Sequence, residues 1–125
     1  MKWKAKYFSP REFECKCGKS TCDAPPPHPQ FVGMLDEARK LSGVPFIITS
    51  GVRCKAHNEA VGGVEGSSHP LGLAVDIRAI TGQERLYVIR GLIKAGFDRI
   101  GVNVTKGFVH ADVDPDKPES FWVYP

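Results

Sequence analysis

Two polar residues in the middle of the chain have the chemistry of metal ligands. His69 lies seven residues before Asp76, on a loop that Gly72 allows to turn sharply. In the strand predicted around Asp76, Val75 and Ile77 alternate with it, so that Asp76 faces away from the hydrophobic core on the solvent-accessible side. An imidazole and a carboxylate placed in this way are candidate ligands of one metal ion.

A second predicted strand, near the C-terminus, repeats this arrangement. His110 and Asp112 share one face, whereas Val109 and Ala111 share the other. Pairing beside the first strand would bring His110 close to Asp76. Two imidazoles and one carboxylate, with an open fourth position, are the ligand set of a catalytic zinc ion. Such an ion lowers the pKa of its bound water to about 7 and polarises a scissile carbonyl.

The apolar pattern predicts which elements position these side chains. Helices are predicted at 30–43 and 81–97, the second with one apolar face formed by Leu86, Ile89, Ile93 and Phe97. Short strands are predicted at 45–49, 74–79, 99–104 and 108–113, and the segment 51–72 is predicted to be a loop. These elements predict an α+β fold, a small and mostly antiparallel sheet flanked by helices.

The two ends of the chain are predicted to lack long elements. Residues 1–28 form an irregular arm that contains three cysteines, with a short helical turn beginning at Ser9. At the other end, the aromatic tail 121–124 is expected to pack back on the body of the protein. The sequence therefore predicts a single domain, 1–125, with an N-terminal arm.

Composition excludes several classes of protein. The 125 residues are 42% hydrophobic and 25% charged, with a net charge of +3, which is typical of one monomeric globular domain. The lysines and arginines are scattered, so no nucleic-acid surface is predicted, and no apolar run is long enough for a membrane span. The basic N-terminus has no apolar segment after it. We therefore expect synthesis in the cytoplasm without a signal peptide.

The two metal motifs resemble those of a known family. The pattern Ser67-x-His69-x-x-Gly72-x-Ala74-x-Asp76, followed by 108–112, is similar to the zinc D-Ala-D-Ala carboxypeptidases, peptidases of the M15 type. That family includes phage endolysins and shares its fold with the hedgehog signalling domain. The segment 48–53 also resembles the family's Ser-Gly-Tyr-Arg stretch, with Val52 in place of the tyrosine. The resemblance extends over residues 7–124.

The resemblance implies roles for individual residues. It makes His69, Asp76 and His110 the ligands of one catalytic Zn²⁺. Arg53 is implied to hold the substrate carboxylate or the developing oxyanion, because its fixed charge and fork of donors suit both roles; the alternative is a surface salt bridge. Ser67 is implied to bind the substrate backbone or else to cap its own loop. His57 is a further candidate for substrate contact, with a solvated loop histidine as its alternative.

The general base is where this chain departs from the family pattern. Relatives place a glutamate three residues before the last zinc histidine, or a histidine two residues before it, and this chain has Gly107 and Phe108 there. Asp112 shares the face of His110 and is the candidate base, with orientation of that histidine as its alternative role.

The implied activity is a zinc metallopeptidase that cuts a peptide bond in peptidoglycan stem peptides. It would act as a D,D-carboxypeptidase or endopeptidase of the phage or prophage lysin type, reaching the cell wall after lysis or export by another system. The alternatives are a zinc-bearing wall-binding module without catalysis and a dipeptidase acting on free D,D-dipeptides.

The four cysteines leave three alternatives open. The first alternative is a second, structural zinc site formed by Cys15, Cys17 and Cys22, with His28 nearby. It is the least favoured of the three, because the spacing of these cysteines departs from that of the usual zinc finger. A disulfide from Cys54 to Cys15 or Cys17 would attach the arm to the loop that carries Arg53. Reduced thiols are the third alternative, and the one expected of a cytosolic protein.

Overall fold

The computed structural model describes residues 3–125, so Met1 and Lys2 of the predicted arm lie outside the described residues. The helices are α1 (Pro29–Ser42), α2 (Lys55–Ala60) and α3 (Gly82–Lys94). The strands are β1 (Ile48–Ser50), β2 (Ala74–Arg78), β3 (Arg99–Asn103), β4 (Phe108–Asp112) and β5 (Ser120–Val123). Short 3₁₀ turns lie at Pro10–Phe13 and His69–Leu71. The predicted α+β class is confirmed.

The five strands form one sheet in the order β1-β2-β4-β3-β5. Every neighbouring pair is antiparallel except β3 and β5, which run parallel. The register places Asp76 of β2 directly opposite His110 of β4. The predicted pairing of these two strands, and the neighbourhood of their polar residues, is thereby confirmed.

The hydrophobic core lies between one face of the sheet and the helices α1 and α3. Residues of β2 and β4 that alternate with the polar ones are fully buried there: Val75, Ile77, Val109 and Ala111. The helix α1 begins at a proline, where the missing N–H costs nothing, and ends at Gly43 with a left-handed φ of 75°. The helix α3 begins with a capping box of Thr81 and Glu84. The opposite face of the sheet is left for polar side chains.

The predicted apolar face of α3 is wrong in part. The helix ends at Lys94 rather than at residue 97, and it buries Val88 and Leu92. Leu86 and Ile93 are 51% and 56% exposed. Apolar residues occur on more than one side of this helix. Periodicity alone therefore did not distinguish the side that packs on α1 from the exposed sides.

Three further elements differ from the prediction. The segment 51–72 is not only loop, because it contains α2 and the turn at His69–Leu71. The strand β1 begins at Ile48 rather than at residue 45, and the tail forms the edge strand β5. The helix α2 has only six residues, and its N-cap is Cys54, whose sulfur accepts from the N–H of His57. Cysteine is not among the usual capping residues, which is why the signal was missed.

In residues 3–28, the regular secondary structure of the N-terminal arm is a 3₁₀ turn at Pro10–Phe13. The 3₁₀ turn of the arm begins after Ser9, whose N–H donates to the side chain of Glu12 at 2.7 Å. The side chains of Phe8, before the turn, and Phe13, at its end, are buried in the core. No helix within residues 3–125 has both the length and the apolar character needed to cross a membrane.

Candidate metal centre

Three polar side chains meet on the face of the sheet that points away from α1 and α3. Atoms of His69, Asp76 and His110 all lie within 4.8 Å of one another, and all three residues are buried. The Nε2 atom of His69 is 3.3 Å from Oδ1 of Asp76, and Nδ1 of His110 is 3.1 Å from the same oxygen. The three residues named from the sequence as ligands are thus brought together. The expectation that Asp76 is solvent-accessible is wrong, because neighbouring side chains cover it and only 5% of the residue is exposed.

Local backbone geometry brings His69 to the sheet. This residue begins the 3₁₀ turn, which ends at Gly72 with a left-handed φ of 74°. A Cβ atom on Gly72 would lie 2.6 Å from the carbonyl oxygen of Pro26, so both the backbone conformation and the close approach require glycine. The predicted sharp turn between His69 and Asp76 is confirmed.

Each histidine has an inner ring nitrogen, which faces Asp76, and an outer ring nitrogen, which faces away from it. The outer nitrogen lies against a hydrogen-bond acceptor that cannot donate. Nδ1 of His69 lies 2.7 Å from the carbonyl oxygen of Gly51, and Nε2 of His110 lies 2.7 Å from Oδ2 of Asp112. A carbonyl and a carboxylate can only accept, so both outer nitrogens carry the proton. In the neutral rings, the lone pairs of the inner nitrogens therefore point towards the single oxygen of Asp76.

Three acceptors facing one another at such distances repel unless a positive charge lies among them. A proton on an imidazole or a metal cation can supply that charge. Two imidazole nitrogens and one carboxylate oxygen, with both rings fixed by hydrogen bonds to outer partners, are the donor set and the surroundings of a catalytic zinc. The residues present therefore fit a zinc ion.

Hydrogen bonds to the imidazoles also set the ionisation of the carboxylates and of His110. Burial favours the neutral form of Asp76, but its contacts with His110 and His69 outweigh burial and hold its pKa well below the usual range. Burial lowers the pKa of His110, yet the contacts with Asp112 and Asp76 raise it above its ordinary value. For Asp112, burial is outweighed by His110, the N–H of Asp114 and Arg99, which together lower its pKa.

Both oxygens of Asp112 have partners. Oδ2 contacts His110, while Oδ1 accepts from Nε of Arg99 at 2.8 Å and from the N–H of Asp114 at 3.1 Å. The residue is only 1% exposed. These contacts are those of a residue that orients His110, which is the second of the two interpretations of Asp112. A direct role as general base stays a prediction.

Arg53 lies beside the cluster and is not a surface residue. Its side chain is 11% exposed, and Nη2 is 3.2 Å from Oδ2 of Asp76. Nε donates to Ser50 and Nη1 to Asn58, each at 3.0 Å. A guanidinium group has five N–H donors, so two of them remain after these three contacts.

The other two predicted substrate residues stay untested. The hydroxyl of Ser67 accepts from the N–H of His69 at 3.3 Å, as the loop-capping interpretation describes. His57 is the third residue of α2, where its backbone N–H donates to the sulfur of Cys54. Within residues 3–125 no hydrogen bond joins the His57 ring to His69, Asp76 or His110.

Several residues around the site were missed from the sequence. The ring of Trp122 in β5 lies 5.4 Å from that of His110, and the guanidinium of Arg99 lies 5.0 Å from the Trp122 ring. The buried Asp114 accepts from Ser68 at 2.8 Å, which ties the His69 loop to the segment after β4. Trp122 alternates with outward residues in the tail, so a reading of 120–124 as a strand would have found it.

A family model connects this geometry with known proteins. The chain matches the model described as Peptidase M15 over residues 6–112, which is most of its length. The protein belongs to the peptidase M15 family. The matched range includes all three metal-cluster residues, Arg53 and Asp112, so the resemblance inferred from the sequence is confirmed. A search of curated proteins gives no match to this chain.

Proposed function

We propose that this protein is a zinc metallopeptidase that hydrolyses a peptide bond in bacterial peptidoglycan stem peptides, as a D,D-carboxypeptidase or endopeptidase of the lysin type. The proposal rests on one observation above all. The inner nitrogens of His69 and His110 face the same oxygen of Asp76, while their outer nitrogens are held by Gly51 and Asp112. Membership of the peptidase M15 family supports the reaction class.

A zinc ion in this cluster would supply Lewis-acid chemistry, polarising a carbonyl and making water a stronger acid at neutral pH. The protein contributes the donors and their orientation. Nε2 of His69, Nδ1 of His110 and Oδ1 of Asp76 are the donor atoms, because the remaining ring nitrogens are engaged elsewhere. Three protein donors leave a coordination position for the reactants, as in other catalytic zinc sites.

Arg53 is proposed to bind the anionic oxygen of the substrate. Its two remaining N–H donors suit either the terminal carboxylate of a stem peptide or the oxygen that gains charge when the carbonyl is attacked. The contacts with Ser50, Asn58 and Asp76 fix the guanidinium before substrate arrives, so little conformational entropy is lost on binding. Ser67 and His57 are proposed as further contacts to the peptide.

Asp112 has two proposed roles that differ in their consequences. As a base it would take the proton of the attacking water at Oδ2, the oxygen that now accepts from His110. As an orienting residue it would hold the proton on Nε2 of His110 and keep Nδ1 free as a donor to the metal. The contacts support the second role.

The deciding experiment measures the release of amino groups. The zinc-loaded protein is incubated with purified peptidoglycan and, separately, with D-Ala-D-Ala, each with and without a chelator. The proposal expects chelator-sensitive release from peptidoglycan, and none from a His110→Ala variant that is shown to be folded. Binding to peptidoglycan without release would instead indicate a wall-binding module. Release from the free dipeptide alone would indicate a D,D-dipeptidase.

A further inference from the structure

The four cysteines of the chain form a cluster separate from the group of His69, Asp76 and His110. The sulfur atoms of Cys15, Cys17, Cys22 and Cys54 all lie within 4.8 Å of one another, and none forms a disulfide. Three of these residues come from the N-terminal arm, and Cys54 comes from the start of α2. His28, which the sequence placed near them, instead caps α1 by accepting from the N–H of Gln30. The cluster is therefore made of thiols alone.

Backbone N–H groups point at three of the four sulfur atoms. The N–H of Cys54 donates to Cys15 at 3.3 Å, and the N–H of Lys19 donates to Cys17 at 3.4 Å. The N–H of His57 donates to the sulfur of Cys54, also at 3.4 Å. Such donors favour the negatively charged thiolate, and hydrogen bonds from outside the coordination shell hold metal ligands in place.

We propose that Cys15, Cys17, Cys22 and Cys54 bind a structural zinc ion, separate from the catalytic site. Four thiolates around zinc at about 2.3 Å place neighbouring sulfurs about 3.8 Å apart in a regular tetrahedron, which lies within the observed spread. A disulfide would join two of the sulfurs and leave two thiols without a role. When zinc binds, each thiol that is still protonated releases its proton to solvent.

This ion would attach the N-terminal arm to the segment that builds the catalytic site. Cys54 directly follows Arg53. Two residues before Cys15, the carbonyl of Phe13 accepts from the N–H of Val52 at 2.9 Å. A Cβ atom on Gly51 would lie 2.7 Å from that same carbonyl oxygen, so the arm lies directly against residues 51–54.

Two residues of the segment 51–54 contact the candidate metal centre. The carbonyl of Gly51 fixes the ring of His69, and Arg53 places its guanidinium beside Asp76. A cross-link between Cys54 and the arm therefore restrains the residues that orient one ligand and that are proposed to bind substrate. The thiolate site itself does not depend on whether the histidine site is catalytic.

The first test uses the unaltered protein. Zinc-loaded, desalted protein is expected to contain two zinc ions per chain by elemental analysis. Titration with an organomercurial reagent, which reacts with thiolates, is expected to release one of them as four thiols are consumed. Full reaction of the four thiols with no zinc released would overturn the proposal, whereas a single zinc that is released by the mercurial would mean that the histidine site, not the cysteine site, is empty.

Variants then separate the two sites. The Cys17→Ser/Cys22→Ser protein is expected to bind one zinc, and so is the His69→Ala/His110→Ala protein. Cobalt substitution distinguishes them, because the intense sulfur-to-cobalt absorption should persist in the histidine variant and vanish in the cysteine variant. Ser20→Ala, at an exposed position two residues before Cys22, is the control and should keep two ions. Sulfur-to-cobalt absorption that survives in a folded cysteine variant would contradict the assignment. If that variant does not fold, the mercurial titration of the unaltered protein decides whether the four thiols hold zinc.

Discussion

The Nε2 atom of His110 lies 2.7 Å from Oδ2 of Asp112, and this contact determines which nitrogen of the ring is available to a metal. Both ring nitrogens face a carboxylate, and when a metal ion replaces the proton on Nδ1, 3.1 Å from Asp76, Asp112 keeps the proton on Nε2 because a carboxylate can only accept. A chain of contacts thus runs from Arg99 through Asp112 to His110, which favours the orienting role of Asp112 over the role of general base.

Replacing Asp112 with asparagine tests this chain directly. If Asp112 orients His110, Asp112→Asn should weaken zinc binding at the histidine site by about 10- to 100-fold, because an amide holds the ring less firmly. Competition with a chromophoric chelator measures the affinity. Unchanged affinity together with abolished turnover would show instead that Asp112 is the base.

Arg53 should matter for turnover and little for the metal. Arg53→Lys keeps the positive charge but loses the fork of donors, and kcat/KM should fall by about 10²- to 10³-fold, as for the loss of one oxyanion donor. Zinc content should stay at the wild-type value. Arg78→Lys, at the exposed end of β2, is the matched control and should leave kcat/KM unchanged.

The pKa of His110 predicts how the metal-free protein responds to pH. Its pKa is raised in the folded state, chiefly by Asp112 and Asp76 against the opposing effect of burial. A raised pKa contributes stability that is fully present below the unfolded value, about 6.5, and is lost as the pH rises through the folded value. Urea unfolding of chelator-treated protein should therefore give a lower free energy of unfolding at pH 8 than at pH 6. His110→Ala should show a smaller decline, and an equal decline would refute the assignment.

Gly72 should be far less tolerant of a side chain than Gly33. Gly72→Ala places a Cβ atom 2.6 Å from the Pro26 carbonyl and strains a φ of 74°, so we expect a loss of about 2 kcal/mol in the free energy of unfolding. Gly33 lies in the exposed part of α1 with open space around it, and Gly33→Ala should stabilise the protein by about 0.5–1 kcal/mol. Urea denaturation measures both, and equal effects would contradict the proposed role of the turn.

The alternation of residues in two strands predicted that Asp76 and His110 lie close together, while the inclusion of His69 and the choice of metal rested on the family resemblance. Val75 and Ile77 on one side of Asp76, and Val109 and Ala111 around His110, predict which faces are buried. Once the strands pair, Asp76 and His110 must be neighbours, and the observed register confirms it.

The residues that form hydrogen bonds to His69 and Asp112 could not be predicted in the same way. The contact of Gly51 with His69 joins residues eighteen positions apart, and that of Arg99 with Asp112 depends on how β3 pairs with β4. Neither leaves a periodic signal. The same holds for Cys54, which meets the arm cysteines where the arm residue Phe13 contacts Gly51 and Val52.

Anomalous X-ray scattering at the zinc edge, from crystals of the zinc-loaded protein, tests the metal centre most directly. We expect a peak about 2.0–2.2 Å from Nε2 of His69, Nδ1 of His110 and a carboxylate oxygen of Asp76. The Nε2 atom of His110 should remain within hydrogen-bonding distance of Asp112. No peak at these three residues, or a peak bound to Nε2 of His110, would contradict the metal centre described above.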